Sequence, residues 1–444
     1  MIKDKLFFKI KQKIYIKKII NLFYFFLRPF VQLFKTIIIR KRAIKAMNHY
    51  SEVVSNIKHS GRSVLNFAAY VIYDSTYGMD GSFKIMMNNL NHWNPKIVVI
   101  PDIDRGYDHA VRTYNKTKDY FVKLYGDEYV IDGWNYDINE FYDHLDDFDI
   151  VYFANPYDSL VHKFHKIKYA CNKNVLPIYV SYGYDIGRYT TIGRMRGELN
   201  LVWKIFADTT YTYEDYSKYQ IIKGQNVVLT GYSKMDNLYQ YFKKPPKISN
   251  NKTIMISPHH TVSMKYLPLS NFLTYNDLIL ELPVMFPNIN FIFRPHPLLF
   301  TTLINSNIWS NEEVDNYIQL LKERGVEYSV GGNYFDLFLK CDAIINDCGS
   351  FTVEWLYTGK PGCFVYNNKL KHKHLTTLMN KAIEKYTVAK SKQDIIDFVE
   401  SISNEIDLED YHIDQWFKDN ISLNYPNVSE YINNQIDVLK QEDD

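Results

Sequence analysis

The chain has 444 residues, more than one hydrophobic core usually serves, so two domains are expected. Its net charge of +2 indicates no particular partner, and its four cysteines lack the spacing of a metal site. Scattered cysteines exclude a disulfide scaffold and indicate free thiols in a reducing cytoplasm.

The first 46 residues form a separate basic segment. They contain thirteen Lys or Arg and one acid, Asp4, a net of +12, so the overall +2 leaves a net of −10 for the rest of the chain. Aromatic and aliphatic residues alternate with these charges, and the longest run without a charge, residues 19–27, is half of what a spanning helix needs. This composition predicts an in-plane amphipathic helix on an anionic membrane surface.

Two other interpretations of residues 1–46 are a nucleic-acid patch and a helix docked on its own protein. So many Phe, Ile and Leu disfavour nucleic acid as a partner, and no cleavage site or clean apolar centre marks a signal peptide. We therefore expect a peripheral protein on the cytoplasmic face of the cell membrane.

Strand-like and helical runs alternate after this segment, as in parallel α/β domains. A polar, proline-broken stretch, residues 243–252, predicts an interdomain linker. The predicted domains are residues 60–242 and 253–395, with C-terminal helices over 396–444. The strands are predicted at residues 64–73, 96–101, 150–153, 176–180 and 226–229 in the first domain, and at 253–256, 290–293, 342–345 and 362–365 in the second. The helices are predicted at residues 81–90, 109–124, 392–403, 408–419 and 429–440.

Polar turns follow many of these strands. Ligands of doubly wound sheets bind at the carboxyl ends of strands, so two facing rows of such turns predict a cleft between the domains. The turns are residues 73–80, 101–106 and 181–185 in the first domain, and 257–261, 294–297 and 347–350 in the second.

The turn at residues 346–354 predicts a phosphate site. Ser350 and Thr352 would open a helix whose free N–H groups attract phosphate oxygens, and Gly349 would let the backbone approach the ligand. Glu354, one turn further on, would accept from ribose hydroxyls. The alternative is that Ser350 is only an N-cap and residues 294–297 only a rigid strand end.

Arg294 is predicted to neutralise phosphate rather than form a structural pair. Neither Asp342 nor Asp347 has a partner acid at metal spacing, which disfavours a metal-dependent transferase and predicts no metal site. The general base remains open among Asp80, Asp185, His259 and His260, because each type can take a hydroxyl proton in a suitable environment.

The motifs resemble those of the CDP-glycerol glycerophosphotransferases, which build teichoic acids and capsules. The resemblance covers residues 60–395 and is most specific at its last motif. It is carried by Leu176 to Gly183, Thr230 to Asp236, Arg294 to Pro297, Asn346 to Trp355 and Gly359 to Pro361.

The resemblance implies an α/β GT-B fold, with two Rossmann-like doubly wound domains facing a cleft, a CDP-glycerol or similar CDP-polyol donor, and no cofactor. It also implies a lipid-linked or polymeric glycan acceptor on the first domain. The implied donor residues are Arg294, His296, Asp347, Gly349, Ser350, Phe351, Thr352 and Glu354. The implied acceptor-side residues are Asp74, Ser75, Tyr182 and Gly183. Where the polymerases carry a His-Gly-Thr-Pro segment with the presumed base, this chain has Ser181-Tyr182-Gly183.

The expected activity is transfer of a polyol phosphate to an acceptor hydroxyl with release of CMP. A sialyltransferase or polysialyltransferase using CMP-sialic acid is the nearest alternative, and product phosphorus distinguishes the two. A membrane-associated scaffold that keeps the nucleotide fold without catalysis is an alternative of another class.

Overall fold

The structure is a computed structural model that describes residues 2–243, 251–404 and 414–440, with side chains from residue 30 onward. Most of the predicted linker and the first part of the helix predicted at 408–419 lie outside the described residues. The side chains of residues 1–29, which carry much of the predicted amphipathic pattern, also lie outside them.

The first domain contains a seven-stranded parallel sheet in the order β3-β2-β1-β6-β7-β8-β9. A small antiparallel hairpin, β4-β5, lies beside it. The strands are β1 (Leu65–Val71), β2 (Trp93–Val99), β3 (Val130–Asp132), β4 (Trp134–Asn135), β5 (Glu140–Phe141), β6 (Ile150–Phe153), β7 (Leu176–Val180), β8 (Lys204–Ala207) and β9 (Val227–Leu229). Most residues of the five central strands are buried, as expected for a sheet covered on both faces by helices.

The second domain contains a six-stranded parallel sheet in the order β12-β11-β10-β13-β14-β15. Its strands are β10 (Lys252–Ser257), β11 (Ile289–Phe293), β12 (Glu327–Tyr328), β13 (Ala343–Asn346), β14 (Gly362–Val365) and β15 (Thr387–Ala389). The chain direction across the sheet reverses between β10 and β13, which makes their carboxyl ends the expected ligand position.

Sixteen α-helices lie in the described part of the chain and cover or extend the two sheets. They are α1 (Ile2–His59), α2 (Asp80–Met87), α3 (Tyr107–Tyr125), α4 (Ile167–Ala170), α5 (Arg188–Met195), α6 (Thr210–Tyr219), α7 (Lys234–Phe242), α8 (Phe272–Met285), α9 (Leu299–Asn305), α10 (Asn311–Glu323), α11 (Phe335–Lys340), α12 (Gly349–Glu354), α13 (Thr377–Ile383), α14 (Lys392–Ser403), α15 (Gln415–Asn420) and α16 (Val428–Ile436). Two parallel, doubly wound sheets confirm the predicted fold class.

Helix α1 continues past the predicted segment end at residue 46. Its side chains at Ala43, Ala46, Tyr50, Val53 and Ile57 are buried in the first-domain core. The Tyr50 hydroxyl donates to the carbonyl of Leu201, which fixes this part of the helix. The segment was alternatively interpreted as a helix docked on its own protein. That interpretation is correct for α1 from Ala43 onward.

The part of α1 before this docked region is exposed. Phe30, Leu33, Phe34 and Ile37 have exposed fractions of 70%, 59%, 66% and 45%. No helix in the described part of the chain has an apolar stretch long enough to cross a membrane.

The C-terminal helices divide between the two domains. Helix α14 contributes Phe398 and Ile402 to the second-domain core, whereas α16 contributes Ile432 and Ile436 to the first-domain core. The Asp236 carboxylate accepts the N–H of Ser429 at 2.7 Å, where α16 begins. The chain end therefore crosses back to the first domain.

Candidate active site

Three histidines meet at the carboxyl ends of the second-domain strands. His259 and His260 follow β10, and His296 follows β11. Their ring centroids lie 4.2 to 5.0 Å apart, and their nearest ring nitrogens lie within 4.8 Å of one another. We call this group the His cluster, and it unites two residues predicted as bases with one predicted to contact phosphate.

The neighbouring strand β13 places Asp347 and Gly349 beside the cluster. Ser257 of β10 pairs with Asn346 of β13, so the loops after these strands leave the sheet together. The Asp347 carboxylate accepts the N–H of His259 at 2.6 Å and that of Asn271 at 2.5 Å. Asp347 is buried and ties the two loops to each other, so its contacts are those of a residue that positions the cluster.

Helix α12 begins at Gly349, one residue before the predicted opening. Its N-cap is Cys348, which makes no side-chain capping hydrogen bond, so Ser350 is not the N-cap that the alternative interpretation required. A Cβ atom at Gly349 would lie 3.2 Å from Cγ1 of Ile186 and 3.8 Å from Nε2 of His259. The glycine therefore allows Ile186 of the first domain to lie against the start of α12. The approach of a ligand predicted for Gly349 stays a prediction.

The remaining donor residues on and near α12 are engaged with the protein. The Thr352 hydroxyl donates to Oδ1 of Asn346 at 2.8 Å, and the Phe351 ring contacts that of Tyr334 at a tilted angle. Glu354 is buried and accepts from the Tyr334 hydroxyl. Tyr334 therefore covers the carboxylate predicted to accept from ribose, and would have to move for that contact to form.

Arg294 is also committed to the protein. Its Nη1 donates to Ser329 at 2.9 Å, and its Nη2 donates to the carbonyls of Gly331 and Gly332 at 2.9 and 3.2 Å. These contacts hold the loop after β12 in place. They correspond to the structural role that was the alternative to a phosphate contact for Arg294.

Hydrogen bonds fix the proton positions in two of the three imidazoles. Oγ1 of Thr261 already accepts from the N–H groups of Leu269 and Ser270, so its hydroxyl proton is free to donate to Nδ1 of His259 at 3.0 Å. Nδ1 of His296 accepts the N–H of Leu298 at 3.1 Å. In each neutral ring Nε2 must then carry the proton.

These tautomers make the cluster a set of N–H donors. A metal needs a free nitrogen lone pair, and in His259 and His296 the Nδ1 lone pair is used while Nε2 is protonated. An anion needs N–H donors, which both rings supply. The arrangement favours phosphate over a metal ion.

Burial keeps these rings neutral. It lowers the pKa of His259 well below the ordinary value and also lowers that of His260, and it brings the pKa of His296 to about 3, with His260 adding to the effect. Nδ1 of His260 is buried with no hydrogen-bond partner in the described part of the chain. A neutral, unengaged imidazole can accept a proton.

The first domain closes over this site through the loop of residues 181–187. Thr376, the N-cap of α13, donates through its hydroxyl to the carbonyl of Asp185 at 2.7 Å and through its N–H to that of Ile186 at 2.9 Å. Gly183 faces Ser350, whose Oγ would lie 3.9 Å from a Cβ there. The predicted acceptor-side residue Gly183 is thus beside the predicted donor residue Ser350.

The other predicted base candidates have partners. The Asp185 carboxylate forms a buried ion pair with Arg194. Asp80 accepts from Lys84 at 2.7 Å, from the Tyr125 hydroxyl at 2.5 Å and from Asn237 at 3.0 Å. Both are poorly placed to take a further proton.

The remaining acceptor-side residues differ in position. The carbonyl of Tyr182 accepts from the Tyr232 hydroxyl at 2.8 Å, which holds it in the closing loop. Asp74 and Ser75 lie on a short 3₁₀ turn after β1, and no hydrogen bond within the described ranges joins them to the His cluster.

Sequence reasoning missed the residues that join the two domains. Ile186 and Thr376 have no chemical signature, and Thr261 acts only through the tautomer that it fixes. The hydroxyls of Tyr184 and Tyr357 lie 3.0 Å apart across the domain junction. The chain has 38 tyrosines without a sequence pattern, so nothing marked these two.

No protein-family model and no curated protein matches this chain. Among solved structures, it is similar to UDP-GlcNAc 2-epimerase from Neisseria meningitidis bound to UDP-GlcNAc, with a TM-score of 0.54, 15% identity, and coverage of 85% of this chain and 100% of that one. A second UDP-N-acetylglucosamine 2-epimerase structure matches with a TM-score of 0.50 and 12% identity, over 86% of this chain and 99% of that one. At such identities the likeness concerns the fold alone, and it establishes that this chain has the GT-B fold.

Proposed function

We propose that this protein transfers glycerol phosphate, or a related polyol phosphate, from a CDP-activated donor to a hydroxyl of a membrane-linked or polymeric glycan, releasing CMP. The observation that carries the proposal is the His cluster, in which His259 and His296 each present an Nε2–H donor. Nε2 of His259 would lie 3.8 Å from a Cβ atom at Gly349, the first residue of α12. A diphosphate is the ligand that suits two N–H donors beside the start of a helix.

The residues have three roles in this mechanism: they bind the diphosphate, position one of its ligands, or take the acceptor's proton. His259 and His296 donate to the diphosphate, and the Ser350 hydroxyl is available beside them. Asp347 and Thr261 act through His259, since they fix its backbone and its tautomer. Their hydrogen bonds hold the donors where charge develops on the leaving phosphate.

His260 is the best-placed general base. The acceptor oxygen attacks the donor's β-phosphorus, the bond from that phosphorus to the bridging oxygen breaks, and CMP leaves with the electron pair. The acceptor proton passes to His260, whose ring is neutral and lies 4.2 to 4.3 Å from the rings of the two donor histidines. Asp80 and Asp185 are already paired with cations.

Membrane attachment is the second part of the proposal. The exposed apolar side chains of α1 lie among Lys35, Arg40 and Lys41, which suits an anionic lipid surface. The acidic remainder of the chain would be repelled by such a surface, so the attachment depends on this helix.

Nucleotide binding tests the donor assignment before any acceptor is known. CDP and CMP should raise the melting temperature, and UDP, UDP-GlcNAc and ADP should not. The UDP arms matter because the solved structure from Neisseria meningitidis holds UDP-GlcNAc in the same fold. Equal stabilisation by UDP would contradict the cytidine assignment and favour a UDP-sugar donor.

A further inference from the structure

A surface built from three segments without acidic residues lies at the junction of the two domains. It is formed by residues 187–190, 263–268 and 367–376, which contain no Asp or Glu although the chain beyond residue 46 is acidic overall. We call it the basic rim and define it by Lys265, Lys369, Lys371 and Lys373 with Tyr189 and Tyr266.

The three segments meet in space. Gly187 forms an isolated β-bridge with Leu375, and a Cβ at Gly187 would lie 3.1 Å from Cδ2 of Leu267. The rings of Tyr189 and Tyr266 lie 6.2 Å apart, one from each domain. The rim is therefore one surface that spans the domain junction.

The rim's charges are available for binding. All four lysines are exposed, and within the described ranges none lies within ion-pair distance of a carboxylate. Tyr189 and Tyr266 are 73% and 50% exposed, so both rings are open to a ligand. Unpaired cations beside open aromatic faces suit a chain that carries both negative charges and sugar or polyol units.

The rim also adjoins the candidate active site. Ile186, which lies against Gly349, directly precedes Gly187, and Thr376 ends the lysine-bearing segment while holding Asp185 and Ile186. We propose that the basic rim binds the acceptor as a polyanionic glycan or polyol-phosphate chain and guides its end toward the His cluster. The identity of that chain rests on the proposed function, whereas binding is measurable without turnover.

Binding of long-chain inorganic polyphosphate to the full-length protein tests the rim. The triple variant Lys369→Gln, Lys371→Gln, Lys373→Gln should bind about tenfold more weakly at low salt, with a shallower salt dependence, because fewer counterions are released. The control, Lys123→Gln, Lys322→Gln, Lys418→Gln, removes the same charge from exposed lysines elsewhere and should bind as the wild type does.

The N-terminal basic segment also attracts polyanions and is unchanged in both variants, so affinity alone does not locate the contact. Hydrogen exchange does. Polyphosphate should protect residues 187–190 and 367–376 in the wild type but not in the rim variant. Equal affinities for the two triple variants, or no protection there, would overturn the proposal. So would a rim variant that loses only binding to phosphatidylglycerol vesicles, since that result would assign the surface to lipid.

The CDP melting shift is measured on the same proteins. A rim that binds polyphosphate in a protein that ignores CDP would support the polyanion site and contradict the proposed donor. A melting shift with CDP in a protein whose rim does not bind polyphosphate would support the proposed donor and contradict the polyanion site.

Discussion

The Thr376 hydroxyl donates to the backbone carbonyl of Asp185 at 2.7 Å, joining the N-terminus of a second-domain helix to the closing loop of the first domain. The same oxygen accepts the N–H of Met379 at 3.2 Å as the cap of α13. One side chain thus couples helix capping to closure of the cleft.

Thr376→Val should weaken both contacts, costing ~1 kcal/mol for the cap and ~1–3 kcal/mol for the carbonyl left unpaired. Ser391→Ala is the matched control, since Ser391 caps α14 but makes no such interdomain contact. Urea denaturation should show a larger loss for Thr376→Val, and CDP affinity should fall in that variant only. Thr376→Ser should restore both, and equal losses in the two cap variants would show that the interdomain contact contributes nothing.

His296→Ala should lower transfer at least ~100-fold, which is about 2.7 kcal/mol of transition-state stabilisation, because a donor to the diphosphate is lost. His296→Gln places an amide N–H near the position of Nε2 and should recover part of the rate. His59→Ala, at the exposed end of α1, should be neutral. Turnover near that of the wild type in His296→Ala would exclude the donor role.

The same histidine predicts a pH effect on stability. Its pKa in the folded protein is about 3, against an ordinary value near 6.5, so the folded ring stays neutral while the unfolded chain takes up a proton. Stability should fall as pH drops from about 6.5 toward 3, and at pH 5 His296 should account for about 2 kcal/mol of the loss. His296→Gln should lose less stability than the wild type between pH 7.5 and 5.

Asp347 changes stability with pH in the opposite direction, and it does so equally in the wild type and in His296→Gln. Burial raises its pKa to about 7, so its contribution to stability declines as pH rises from about 4 toward 7. The difference between wild type and His296→Gln isolates the histidine. Identical pH profiles for the two proteins would contradict the buried, neutral state assigned to His296.

Deleting residues 1–40 should release the protein from phosphatidylglycerol vesicles while leaving the fold intact, because the cut precedes the docked residues that begin at Ala43. The deletion removes ten of the thirteen basic residues of the segment. Full-length protein should sediment with vesicles at low salt and retain part of that binding at high salt, since the apolar contribution is not screened. Truncated protein that sediments equally well would exclude α1 as the anchor.

The sequence predicted the parallel α/β architecture because most of the longer strands are buried apolar runs that end in polar turns. It identified the strands at residues 150–153, 176–180 and 362–365 with the observed bounds. It missed β3, β4, β5, β8, β12 and β15. These strands have two to four residues, and so short a run has no periodicity that separates a strand from other structure.

The candidate site divided in the same way. Residues directly after strands, such as His259, His296 and Gly349, were found because their place in the sheet brings them together. The partners of Arg294 and Glu354 were not found. Gly331 and Tyr334, which contact them, lie on the loop after β12, and no local sequence pattern predicts the path of that loop. The choice among bases also needed three-dimensional contacts. These show that Asp80 and Asp185 are paired and that, in the described ranges, Nδ1 of His260 has no hydrogen-bond partner.

The transfer reaction itself gives the most direct test. The purified protein is incubated with a panel of CDP-polyols, CMP-sialic acid and UDP-GlcNAc together with glycan acceptors, and released nucleotide and product are measured by mass spectrometry. The proposed function predicts CMP from a CDP-polyol and a product heavier by one polyol phosphate, both lost in His296→Ala. Product without added phosphorus from CMP-sialic acid, or turnover of UDP-GlcNAc alone, would contradict it.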